Sequence, residues 1–290
     1  MTRREFLIKT LGAATISSLL IAPSSLLHSK IYKDTTADIF TSIITKASKQ
    51  RWCDMEMSDL VTRVALEFID TPYVGGTLDK NPTQEIATIN LSALDCVTLF
   101  ENSLCIARCI KKENFRYADL INEVTFTRYQ SGKIVDYTSR LHYTSGWILD
   151  NIDKNVIEDV SEKLGGAPHK FSLNYMTNHY QQYPSLKKNP EFIKKISEIE
   201  TYLSNQTFYV IAPKDISAAS SGIQDGDIIA IATSQPGLDY SHIGIAFNKN
   251  LLHASSKAQK VIIDTSISKY VNSNKKSIGI SVLRPKNPLS

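Results

Sequence analysis

The chain has 290 residues, 42% hydrophobic and 21% charged, an ordinary globular composition with room for one large domain or two small ones. Its formal net charge is +4, of which Arg3, Arg4 and Lys9 set against Glu5 supply two charges, so the body carries only a weak basic bias. With no cluster of Arg and Lys interleaved with aromatics, a nucleic-acid surface is not expected.

Residues 1–29 read as an export segment rather than as fold. Thr2 to Lys9, with the Arg3-Arg4 pair, resembles a twin-arginine signal, and Leu11 to Ala22 is an apolar stretch too short to span a bilayer comfortably. An exported, periplasmic bacterial protein is expected, with residues 30–290 forming a single, monomeric domain. No later stretch is long and apolar enough for a transmembrane helix. Cys53, Cys96, Cys105 and Cys109 are expected as free thiols. Cys105 and Cys109 lie four apart on one predicted helix with Cys96 at its start, where helical backbone poorly supports a disulfide dihedral.

The spacing of Ile39, Ile43, Ile44 and Ala47 predicts a first helix, and a second runs from Ser58 to Phe68 with Ser58 as its N-cap. In Asp70-Thr71-Pro72-Tyr73-Val74-Gly75-Gly76, the proline and paired glycines force an ordered loop. Its Tyr73 either serves function or packs the loop onto the body. After a polar turn come Asp95 and Cys96, followed by Val97, Phe100, Leu104, Ala107 and Ile110 at helical spacing. Cys96 therefore falls in the first turn of an amphipathic helix, where unpaired N–H groups and the helix dipole stabilise a thiolate. Residues 112–205 read as a helical and loop insertion, with helices over 119–128 and 190–203. It concentrates Tyr137, Arg140, His142, Tyr143 and Trp147 in one short segment. Such a set suits a sugar or peptide, since rings stack on apolar faces and a guanidinium grips a carboxylate. Ordinary core packing explains it equally well.

From Phe208 onward the period becomes two. Short apolar runs at 208–211, 227–233, 242–247, 251–255, 261–264 and 278–283 predict a small antiparallel sheet or half-barrel. Helices first and strands later give an α+β fold. In Ser241-His242-Ile243-Gly244-Ile245-Ala246-Phe247, the large apolar residues share one face. His242 and two small residues share the other, leaving room for the Cys96 helix to approach. Parity then decides whether His242 meets His253. An even loop centred between Asn248 and Lys249 puts them on one face as diagonal neighbours, roughly 7–8 Å apart at the backbone, whereas a three-residue loop without a bulge separates them.

If the three residues meet, chemistry assigns their roles. His242 would be the general base toward Cys96, and His253 would fix the orientation and tautomer of His242. The Cys96 backbone N–H, joined by the Tyr73 hydroxyl, could hold an oxyanion. No further His stands at ligand spacing, so neither metal nor cofactor is expected.

Thr71-Pro72-Tyr73-x-Gly75-Gly76, Asp95-Cys96 opening a helix, Ser241-His242-Ile243-Gly244-Ile245 and Leu252-His253-Ala254-Ser255 together resemble the NlpC-type superfamily of papain-like cysteine peptidases. Val97-Thr98 replaces that superfamily's usual Ser-Gly after the cysteine, and the loop from Gly76 to Asp95 is long. These departures, with Leu91 to Asn102 and Arg140-Leu141-His142-Tyr143, resemble its N-acetylmuramoyl-L-alanine amidase-like branch. The resemblance implies a papain-like core in which Cys96, His242 and His253 act as nucleophile, base and orienting residue. Tyr73, Asp95 and Ser241 are then expected on the substrate side, along with Arg140, His142 and Tyr143. The implied substrate is peptidoglycan or a released muropeptide, cut between N-acetylmuramic acid and L-alanine. The alternatives are an endopeptidase cutting between D-glutamate and the diamino acid of the stem, a metal amidase, and a non-catalytic wall-binding module.

Overall fold

The computed structural model describes residues 35–78 and 84–289. The expected export segment lies outside the described residues. Helix α1 (Thr35–Lys49) buries Phe40, Ile43, Ile44 and Ala47 along one side, as their spacing requires. Helix α2 (Met57–Leu66) starts one residue before its expected cap, with Glu56 in the N-cap position and Ser58 inside the first turn.

Helix α3 (Cys96–Lys111) differs from expectation in kind. Leu99, Leu104, Ile106, Cys109 and the polar Glu101, Asn102, Ser103 and Arg108 are all buried, so the helix is central rather than amphipathic. The reason is its company: α4 (Tyr117–Arg128) packs against it, and α5 (Thr144–Asp153) sends Trp147 onto Phe100, with ring centroids 5.0 Å apart. The segment read as an insertion is therefore part of the framework. Its strand β1 (Ile157–Asp159) also joins the main sheet. Strand β2 (Ala167–His169) follows, then α6 (Tyr175–Asn178), α7 (Pro184–Lys188) and α8 (Pro190–Ser204), whose Asn189 N-cap and Pro190 make a standard helix start. Strand β3 (Phe208–Val210) pairs with β2 as a separate two-stranded ribbon, and α9 (Ile216–Ala219) leads into the main sheet.

That sheet contains β4 (Ile228–Thr233), β5 (Tyr240–Phe247), β6 (Asn250–Ser255), β7 (Lys260–Ser266) and, after α10 (Ile267–Asn272), β8 (Ser277–Pro285). Its order is β1-β8-β4-β5-β6-β7, and each neighbouring pair is antiparallel. Both faces are covered, which explains why β4 is buried throughout and apolar from Ile228 to Ala232. Ile228, Ala230 and Ala232 join the larger core with Leu99 and Phe100, while Ile229 and Ile231 join a smaller one with Ile267 and Val271 of α10. Gly226, at φ +88°, lets the chain before β4 press against α2. A Cβ there would lie 1.8 Å from the Ser58 carbonyl oxygen.

The same division corrects the expectation for β5. Ile243 and Ile245 face the larger core shared with α3, but the small-residue face belongs to the smaller core under α10. The space beside Gly244 is filled by Leu251, 2.6 Å from where a Cβ would stand. Among the described residues, no helix is long and apolar enough to cross a membrane.

Candidate active site

Asp95 opens α3 with a capping box. Its Oδ1 accepts from the Thr98 N–H at 2.8 Å, and Thr98 Oγ1 accepts from the Asp95 N–H at 2.8 Å. Asp95 is 5% exposed, so its carboxylate serves the helix start that presents Cys96. The helix begins where the Tyr73 loop is stitched into place. Val74 N–H donates to Leu94 O at 3.1 Å, Leu94 N–H to Pro72 O at 2.9 Å, and Tyr73 N–H to Gln259 O at 2.9 Å. Pro72 and Tyr73 thus bridge the start of β7 to the residues just before Cys96. The Tyr73 side chain is half-buried, and its hydroxyl lies over Gly75.

The imidazoles arrive by strand parity. Phe247 pairs with Asn250, leaving Asn248 and Lys249, at φ 50° and 65°, as a two-residue turn of the type that matches strand twist. With this even loop, His242 and His253 share a face. His242 Nε2 and His253 Nδ1 are 2.7 Å apart, with the rings nearly perpendicular at 87°. At the start of β5, Ile231 pairs with His242 but Ala232 pairs with Tyr240. Ser241 is the extra residue of this bulge, a device that re-aims neighbouring side chains. Both Ser241 and His242 are half-buried, whereas His253 is 1% exposed.

Two further residues complete the group, and neither was singled out from the sequence. Asp264 Oδ2 lies 3.3 Å from His253 Nε2. Strand parity could have found it, since His253 pairs with Ile262 and residue 264 lies on the same face of β7. Tyr270 of α10 stacks on His242, with centroids 5.7 Å apart and planes at 28°, and meets His253 edge-on at 5.0 Å. Burial pushes its hydroxyl up to about 12, and the charges of Asp264 and of a Cys96 thiolate act in the same direction. Burial also pushes His253 down, opposed by the bond and charge of Asp264.

Arg140, His142 and Tyr143 have internal partners, as the packing alternative expects. Arg140 grips Glu85 through two nitrogens at 2.8 and 2.9 Å, and Tyr143 donates to Glu200 at 2.6 Å. His142 Nε2 is 2.7 Å from the Tyr137 carbonyl oxygen, and burial beside Arg140 pushes the ring down to about 3. Among the described residues, no three or more His, Cys, Asp and Glu side chains are grouped to hold a metal.

The family model described as AmiA-like, N-acetylmuramoyl-L-alanine amidase-like, matches residues 63–280. A crystal structure of an N-acetylmuramoyl-L-alanine amidase from Bacteroides uniformis ATCC 8492 superposes with a TM-score of 0.75 at 34% identity, over 79% of this chain and 99% of that one. A candidate xylanase from Bacteroides fragilis gives a TM-score of 0.73 at 38% identity, over 77% and 99% of the two chains. A protein from Legionella pneumophila str. Philadelphia 1, at 20% identity and a TM-score of 0.65 over 87% and 95%, shares the fold. The search of curated proteins returned no match. The chain belongs to the N-acetylmuramoyl-L-alanine amidase-like family.

Proposed function

We propose that this protein is a cysteine amidase that cuts the bond between the lactyl group of N-acetylmuramic acid and L-alanine in peptidoglycan fragments, anhydro-muropeptides among them. The observation that carries the reading is the 2.7 Å bond between His242 Nε2 and His253 Nδ1. With Nε2 engaged there, Nδ1 of His242 is the nitrogen that would take the thiol proton. Cys96 would attack the lactyl carbonyl, and the oxyanion would be held by the backbone N–H at the start of α3, with Tyr73 beside it. His242 would return the proton to the nitrogen of L-alanine, releasing the stem and leaving a thioester. It would then deprotonate a water that attacks the thioester, restoring the thiol and freeing the lactyl carboxylate. Ser241 and Tyr73, both half-buried at this point, are the substrate-side residues the reading retains.

The name carried by the Bacteroides fragilis structure raises glycoside hydrolysis as a comparison. That reaction wants two carboxyl groups flanking the scissile bond, whereas the groups joined here are two imidazoles and one carboxylate hydrogen-bonded to an imidazole. The proposed substrate and the twin-arginine-like segment both fit delivery to the periplasm.

Mass spectrometry of products from an anhydro-muropeptide and its intact-sugar counterpart tests the proposal. The expected products are a stem peptide beginning with L-alanine and a sugar bearing a free lactyl carboxylate. Cys96→Ala should lower turnover by about a thousandfold or more. Cleavage between D-glutamate and the diamino acid would establish the endopeptidase alternative. Undiminished turnover by Cys96→Ala would remove the nucleophile.

A further inference from the structure

We propose that Asp264 is a positioning residue that sets the order of protons along the His253–His242 chain and so makes Nδ1 of His242 the basic nitrogen. The inference rests on the amidase reading for its consequence in catalysis, but its geometry stands apart from any substrate.

An ionised Asp can only accept hydrogen bonds. Its Oδ1 takes the Thr265 N–H at 2.6 Å, and its Oδ2 faces His253 Nε2 at 3.3 Å. For that second contact to be a hydrogen bond, the proton must sit on His253 Nε2. His253 is 1% exposed, and its burial favours the neutral ring, which carries one N–H. With that proton on Nε2, Nδ1 of His253 is an acceptor. The 2.7 Å contact to His242 then requires the proton on His242 Nε2. Neutral His242 is left with its lone pair on Nδ1. One carboxylate thus orients two imidazoles in series.

Two features of the fold favour this arrangement. The register between β6 and β7 shifts between Asn250 and Leu252, placing an irregularity beside Asp264, where a carboxylate is turned toward the buried ring. The Tyr270 ring stacks on His242 and meets His253 edge-on, a cover that limits competition by water for their shared hydrogen bond. Reversing the proton order would place the His253 proton on Nδ1, leaving two acceptors, Asp264 Oδ2 and His253 Nε2, face to face.

The test reads the tautomer directly. In the full chain with 15N-labelled histidine, long-range 15N–1H correlation should show neutral His242 as the Nε2–H form. Asp264→Ala should move it toward the Nδ1–H form and lower kcat about tenfold or more, with KM changed by less than about threefold. Asp264→Glu should restore the Nε2–H form and part of kcat. Tyr270→Phe keeps the ring cover and should leave the tautomer unchanged. Wild-type protein with His242 in the Nδ1–H form overturns the proposal. So does a folded Asp264→Ala whose His242 tautomer is unchanged. Because the spectra need no substrate, failure of muropeptide cleavage would fall on the amidase reading, whereas an unexpected tautomer would fall on Asp264.

Discussion

Burial and hydrogen bonding give the four thiols different chemistry. Cys105 is fully buried against Thr127, its Sγ 3.2 Å from Oγ1, and burial pushes its thiol up to about 12. Cys109 is driven in the same direction by the same cause. Neither should form a thiolate in the native state near neutral pH. Cys53 is more accessible than Cys96, which is 2% exposed. Exposure alone would therefore rank Cys53 first toward an alkylating reagent, whereas the helix start and imidazole proposed to activate Cys96 rank it first. Peptide mapping after brief iodoacetamide treatment should find Cys96 modified faster than Cys53, and Cys105 and Cys109 modified only after unfolding. Faster labelling of Cys53 would count against an activated sulfur at position 96.

At the scale of elements, the β5–β6 hairpin decides whether a site exists, because one residue more or less in its loop carries His253 to the opposite face. Its turn is built from Asn248 and Lys249, both left-handed, and lysine has no local hydrogen bond to offset that conformation as asparagine does. Lys249→Gly should therefore stabilise the protein by roughly 0.5–1 kcal/mol in urea unfolding without loss of turnover. Destabilisation would mean that the lysine side chain matters more than its backbone strain. This hairpin was legible in the sequence because loop length and alternation are local. The Cys96 helix start was legible for the same reason, Asp95 and Thr98 being a capping pair three residues apart. Helix α10 was not read. It has six residues, too few for periodicity to stand out, although the Ser266 cap and the trio Ile267, Tyr270 and Val271 mark it in retrospect. Missing it assigned the small-residue face of β5 to the wrong helix. Asp264 ends an apolar run, and only the parity of β7 against His253 marks it, a pairing that no single strand displays.

Across the whole molecule, the segment 112–205 makes α3 a central helix, and it does so through buried charges as well as apolar packing. Arg128 of α4 bonds Glu101 of α3 at 2.8 Å, with both side chains almost fully buried, and Trp147 of α5 donates to the other Glu101 oxygen at 3.0 Å. Arg108 and Lys112 converge likewise on Glu123. The spacing of Val97, Phe100, Leu104, Ala107 and Ile110 by itself reads as amphipathic. Only the partners of Glu101 and Arg108, 15 to 46 residues away, make those charges interior. Such pairs contribute little beyond an apolar substitute of similar shape, but breaking one from a single side strands a charge. Arg128→Met should cost about 3–5 kcal/mol by leaving the Glu101 carboxylate buried without its guanidinium. Adding Glu101→Gln should recover much of that loss, because a neutral amide can still accept from Trp147. Urea unfolding of the two single variants and the double variant supplies the cycle. Additive losses would show that Arg128 acts through its contact with the Thr88 carbonyl, at 2.6 Å, rather than through the charge of Glu101. A strongly non-additive cycle would identify the ion pair as what fastens this helical layer to the helix that presents Cys96.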